Sequence, residues 1–154
     1  MKPTPSGWPR ITPALFYDDA RRAIEWLQQA FGFEVRLLVE GEGGRVEHSE
    51  LEYGDGLIMV GSTGGGGHGQ AWRARLASPA GNHGRMTQNL AVHVDDVDAH
   101  CARARGAGAE VCHEPETVDY GDEYWSDRHY AAYDCEGHLW WFLQRVSTGG
   151  TPRA

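Results

Sequence analysis

The chain contains one opening used twice. The alternating run ITPALFY, Ile11 to Tyr17, ends in Asp18-Asp19. The alternating run NLAVHV, Asn89 to Val94, ends in Asp95-Asp96. Period-two alternation marks a strand with one covered face. An Asp at its end, placed before apolar residues at three- and four-residue spacing, marks a helix N-cap. After the first pair, Ala23, Ile24, Trp26, Leu27, Ala30 and Phe31 define an amphipathic helix over Ala20–Phe31, capped by Asp18 or Asp19 and stopped by Gly32. After the second, Val97 to Arg105 reads as a helix stopped by Gly106 and Gly108. Aligning the two Asp-Asp pairs also brings FGFEV onto AGAEV and YGDG onto YDCEG. A repeat of roughly seventy to eighty residues is too long for a solenoid unit, so each copy is a whole module.

The remaining pattern fills both modules with strands. In the first, Glu34–Val39, Val46–Tyr53 and Leu57–Val60 follow the helix, the last two joined at a GDG hairpin signal. In the second, a strand starts at Ala109–His113, and His129–Tyr133 and Leu139–Leu143 flank the turn DCEGH. The fold class expected is α+β, with two βαβββ modules in a single domain spanning residues 1–154. Module 11–61 is joined to module 88–146 by a glycine-rich connection over residues 62–87, which includes His68 and His83. A phosphate-cradle role for its four glycines is disfavoured, since no Gly-Lys-Ser/Thr follows.

Bulk properties narrow the partners. With 154 residues and a formal net charge of −8, the chain is a poor match for a phosphate backbone, so no nucleic acid is expected. No apolar run approaches the roughly 20 residues of a membrane helix, and the N-terminus has no apolar signal-type core. The expectation is a cytoplasmic chain with no membrane partner. Three widely spaced cysteines, Cys101, Cys112 and Cys135, argue against a disulfide framework or a Cys-based zinc site.

Taken in order, FYDDARRAIEWLQQAFGFE, VDDVDAHCARARGAGAEV and DCEGHLWWF resemble the vicinal oxygen chelate superfamily, which includes glyoxalase I, extradiol dioxygenases and bleomycin-resistance proteins. The resemblance covers roughly Ile11 to Val146. It implies curved mixed sheets forming a cavity between paired modules, within one chain or across a homodimer, and a homodimer is the expectation here. Fold alone does not fix reaction. The resemblance places the usual metal-ligand positions on Thr12, Asn89, a residue at or near Glu50, and Trp141. Thr and Asn are weak ligands and Trp offers none, so no metal and no cofactor are expected, although a displaced divalent site built from His48, Glu50 and His93 remains open.

Two further readings concern the pocket. His48 and Glu50 lie two apart on one strand and so share a face, which makes them the best general acid–base pair, with Glu52 beside them. His129 and His138 are assigned ordinary turn or surface roles. Phe16, Thr12, Asn89, His93, Tyr130 and Trp141 are the candidate ligand-binding residues. Trp72 and Trp125 fall in irregular segments able to act as lids. Asp119, Asp122, Glu123 and Asp127 in VDYGDEYWSDRHY suit a cationic ligand. The leading expectation is metal-independent binding of a small, cationic or aromatic molecule between the modules, as in antibiotic sequestration. The alternative is a glyoxalase-type lyase or isomerase, or an extradiol-type dioxygenase, using His48 and Glu50.

Overall fold

In the computed structural model the described residues are 1–64 and 71–148. Gly65–Gly67 and His68 of the glycine-rich connection lie outside them. The chain divides into two compact units, with the boundary between Arg85 and Met86. Each unit contains one βαβββ module with a four-stranded mixed sheet, as the repeat implied.

The first unit runs β1 (Ala14–Tyr17), α1 (Ala20–Phe31), β2 (Glu34–Glu40), β3 (Val46–Tyr53) and β4 (Gly56–Ser62). The sheet order is β1-β4-β3-β2, with β1 parallel to β4 and the other pairs antiparallel. Of the Asp pair, Asp19 is the cap: its side chain accepts from Arg22 N. Asp18 instead accepts from Thr63 Oγ1 at 2.6 Å, tying the start of the helix to the chain just beyond β4. Gly32 adopts a left-handed conformation at φ 83°, which ends the helix where a side chain would be strained. The helix buries Ala23, Ile24, Leu27, Ala30 and Phe31. On the strands, Leu15, Tyr17, Leu51, Ile58 and Val60 are buried as well. Cross-strand pairing puts Leu15 opposite Val60 and Leu51 opposite Ile58, so they share one face of the sheet.

The second unit repeats the plan: β5 (Leu90–His93), α2 (Val97–Gly106), β6 (Glu110–Asp119), β7 (Trp125–Tyr133) and β8 (Leu139–Thr148), in order β5-β8-β7-β6. Asp96 caps α2 by accepting from Ala99 N at 3.0 Å, and Gln144 accepts from Val97 N at 3.0 Å. Trp140, Phe142, Tyr130 and Ala132 are buried on the helix side. There Tyr130 stacks on Phe142, and its hydroxyl lies 2.7 Å from Nδ1 of His100 on α2. In the DCEGH turn, Asp134 accepts from Glu136 N and His138 N with one oxygen. Its other oxygen takes the indole N–H of Trp140.

β6 and β7 are longer than the sequence pattern suggested. They join in a tight turn over residues 120–124, where Gly121 holds φ 101°. Trp125 is therefore a strand residue and not part of a lid. The guanidinium of Arg145 lies 4.8 Å from its ring centroid. Trp72 lies in a short 3-10 turn, Ala71–Arg75, and is half exposed.

Replacing either capping aspartate by alanine is expected to cost about 1 kcal/mol, because one backbone donor at the helix start loses its partner. Urea unfolding of Asp19→Ala and Asp96→Ala checks this, with Asp95→Ala as the position expected to shift the midpoint least.

Candidate functional site

With one face of each sheet taken by a helix, the other face is left for polar residues and for Phe16 and Trp141. On the second sheet the register aligns Ala91 of β5, Trp141 of β8 and Ala131 of β7 in one row. His93 pairs with Leu143, and Leu143 with His129, in the next. The indole of Trp141 thus sits between two alanines and is partly exposed. The rings of His113 and His129 lie 5.3 and 5.4 Å from it.

His113 and Glu116 reach this face by an irregularity. In a regular strand, residues three apart point to opposite faces. Here His113 pairs with Ala131 and Glu116 with His129, so β6 carries one more residue than β7 between the same two points. Such a bulge reverses the facing of every later residue in the strand. Pro115 lies inside it, on an outer strand where a missing N–H is tolerated. Nε2 of His113 consequently lies 2.9 Å from Glu116 Oε1, and Nε2 of His129 lies 3.9 Å from the same oxygen. The two imidazoles are stacked, 5.3 Å apart and inclined by 22°.

The first sheet has a different character. Glu50 on β3 is buried, with Nε2 of His48 3.0 Å from one oxygen and Nε of Arg36 2.7 Å from the other. Arg36 also donates to Glu52 Oε1 and to the carbonyl of Gly7, and it lies 4.8 Å from the Trp8 ring centroid. The His48 hydrogen bond, followed by that of Arg36, holds the Glu50 carboxyl below its usual range. An ionised carboxylate only accepts, so Nε2 of His48 carries the proton in this contact. Phe16 lies on the open face, its ring packed over Gly61, where an added Cβ would stand 3.3 Å from the ring edge.

Residues 10–142 match the model of the Glyoxalase/Bleomycin resistance protein/Dioxygenase superfamily. The chain belongs to this superfamily. Rv0887c, an uncharacterized protein of Mycobacterium tuberculosis, is 30% identical over 138 residues, covering 90% of this chain and 75% of its own. The crystal structure of TioX from Micromonospora sp. ML1 superposes with TM-score 0.66 at 29% identity, over 95% of this chain and 100% of that one. TnmS3, described as an antibiotic binding protein from Streptomyces sp. CB03234, superposes with TM-score 0.60 at 18% identity, over 86% of this chain and 92% of that one. At that identity the likeness is one of fold.

Within the superfamily framework, the residues expected from sequence divide by module. Thr12 and Asn89 lie just before β1 and β5, and His93 is exposed on β5. His48 and Glu50 do touch, whereas His93 belongs to the other unit. Tyr130 departs from its expected place. Proximity in sequence put it beside Trp141, but it pairs with Phe142 and is fully buried against His100 on the helix side. His129 departs too, being a nearly buried strand residue and not a turn or surface one. The expectation of no metal rested on Thr12, Asn89 and Trp141 and gave His129 a turn or surface role; the ligand atoms of His113, Glu116 and His129 lie within 4.8 Å of one another. Only Pro115 in the sequence hinted at the bulge that assembles them.

The acidic segment is less free than its composition suggested. Asp127 is buried and bonded to Arg145, and Asp119 accepts from Gly121 N within the turn. Cys101 is buried on α2, and burial pushes its thiol up, away from nucleophile chemistry.

Because the folded Glu50 carboxyl is depressed, its stabilising contribution is complete above the ordinary carboxylate range and fades as pH falls through the lower, folded value. Denaturation midpoints followed from about pH 6 to about pH 3 should fall more shallowly in Glu50→Gln than in the parent chain. Equal slopes would mean that the His48 and Arg36 contacts do not hold the carboxylate in solution.

Proposed function

We propose that this chain binds a small, planar, aromatic molecule on the open face of its second sheet, stacked on Trp141. The observation that carries the reading is the indole between Ala91 and Ala131, flanked by two imidazoles. A flat π surface edged by a few polar groups is what a planar ligand recognises. Stacking of this kind needs no metal. The half-exposed carboxylate of Glu116 beside the rings favours a ligand carrying positive charge, as does the net charge of −8. That a protein of this fold, TnmS3, is described as antibiotic binding is consistent with sequestration as the biological outcome.

The enzymatic alternative draws less support. Arg36 and His48 occupy both oxygens of Glu50 and hold its carboxyl low, which makes it a weak general base. Pairing of two chains into a homodimer is part of the proposal. Val35, Leu37, Leu38 and Val39 along the outer strand β2 are exposed, and a second copy would cover them.

Titration calorimetry against a panel of cationic aromatic compounds, with the ligand recovered and analysed afterwards, tests the proposal. A hit should be returned unchanged, and Trp141→Ala should weaken it about fivefold or more, the roughly 1 kcal/mol typical of a hot-spot aromatic. Unchanged affinity would remove Trp141 from the site, and a new product would favour the enzyme. Sedimentation equilibrium of Leu37→Glu against the parent chain tests the dimer, which the charge should dissociate.

A further inference from the structure

The geometry points to a divalent transition-metal site formed by His113, Glu116 and His129 on the second sheet, beside Trp141 but using none of the superfamily positions at Thr12, Glu50, Asn89 and Trp141. Two imidazoles and one carboxylate are a donor set that suits zinc, nickel, copper or iron in the divalent state. Their ligand atoms already lie within 4.8 Å of one another. Tetrahedral coordination at about 2.0–2.1 Å would space donors by roughly 3.3 Å. The observed separations of 2.9 and 3.9 Å from the shared Glu116 oxygen bracket that spacing, so closing the shell takes only small side-chain rotations.

A plain His–Glu ion pair accounts for the cluster less well. Nε2 of His113 is shielded from solvent and makes no aligned hydrogen bond, despite lying 2.9 Å from the carboxylate oxygen. A protonated imidazole would aim its N–H at that oxygen. Two ligands of one ion instead aim past each other, at a common third point. The bulge between His113 and Glu116 adds a second argument. It costs β6 regular pairing, and its effect on this face is to bring the carboxylate beside both imidazoles. The rings are further held by stacking on each other and by contact with Trp141. With three protein ligands, at least one coordination position is left for water or for a donor atom of a bound molecule.

The test uses the full-length chain without an affinity tag, stripped with chelator and titrated with Zn²⁺ by calorimetry and with Co²⁺ by visible absorption. One ion per chain is expected, with the intense absorption of a low-coordinate cobalt site. His113→Ala, His129→Ala and Glu116→Gln are each expected to weaken binding by at least about tenfold, as loss of one donor from a three-ligand shell requires. Because His129 is nearly buried, circular dichroism confirms folding of each variant. Glu116→Gln, altered at a half-exposed side chain, carries the test should His129→Ala unfold. Absence of stoichiometric binding overturns the inference. So does binding that survives all three substitutions, and if that binding is lost in His48→Ala the ion belongs to the first module instead. Trp141→Ala separates this site from the stacking proposal, since it should reduce aromatic-ligand affinity while leaving the cobalt stoichiometry at one.

Discussion

Parallel pairing of the first and last strands is the constraint on which each module depends. A parallel neighbour cannot be reached by a hairpin, so the chain must cross over one face of the sheet before returning. In the first module that crossover includes α1 and in the second α2, and each helix buries the face it crosses. The other face is released from packing. Leu15, Tyr17 and Val60, or Trp140 and Phe142, satisfy the hydrophobic requirement on one side. The opposite side can then hold a salt-bridged glutamate or a partly exposed indole. Asp19 and Asp96 matter because they start each helix where the strand ends, which leaves the crossover no slack.

Two carboxylates show how differently the two open faces are used. Glu50 is enclosed by Arg36 and His48, and its charge is spent on joining β2, β3 and the N-terminal segment at Gly7 and Trp8. Glu116 sits half exposed beside imidazoles. On the function proposed above, the first arrangement is structural and the second is available to a ligand. On that reading, the most conspicuous His–Glu pair in the sequence, His48 and Glu50, is not the pair that binds.

Much of the fold was legible in the chain. The helix over Ala20–Phe31 and the strand over Val46–Tyr53 have the limits that periodicity and glycine stops implied. The open face was legible only where strands are regular, as for His48 with Glu50 or Ala91 with His93. Tyr130 was misplaced because its neighbours in sequence do not reveal cross-strand register, and a register opposite Phe142 turns it toward α2. His113, Glu116 and His129 were missed for a related reason. Strict alternation separates residues 113 and 116, and the added residue that reunites them leaves no trace except a proline. The length of β7 was hidden because its first residues invert the usual pattern: polar Ser126 and Asp127 are buried, while apolar Trp125 is exposed.

The irregular course of β6 also affects how the molecule meets others of its kind. As the outermost strand of its sheet, β6 has one side with no strand partner within the module. A straight strand there would offer a template for adding foreign strands, a familiar route to aggregation. Two register shifts and an internal proline break the spacing that an incoming strand would have to match. Deleting a single residue between His113 and Glu116 would scatter the cluster, and it would also smooth the edge. The residues that bring the cluster together are therefore the same few that keep this edge from matching an incoming strand.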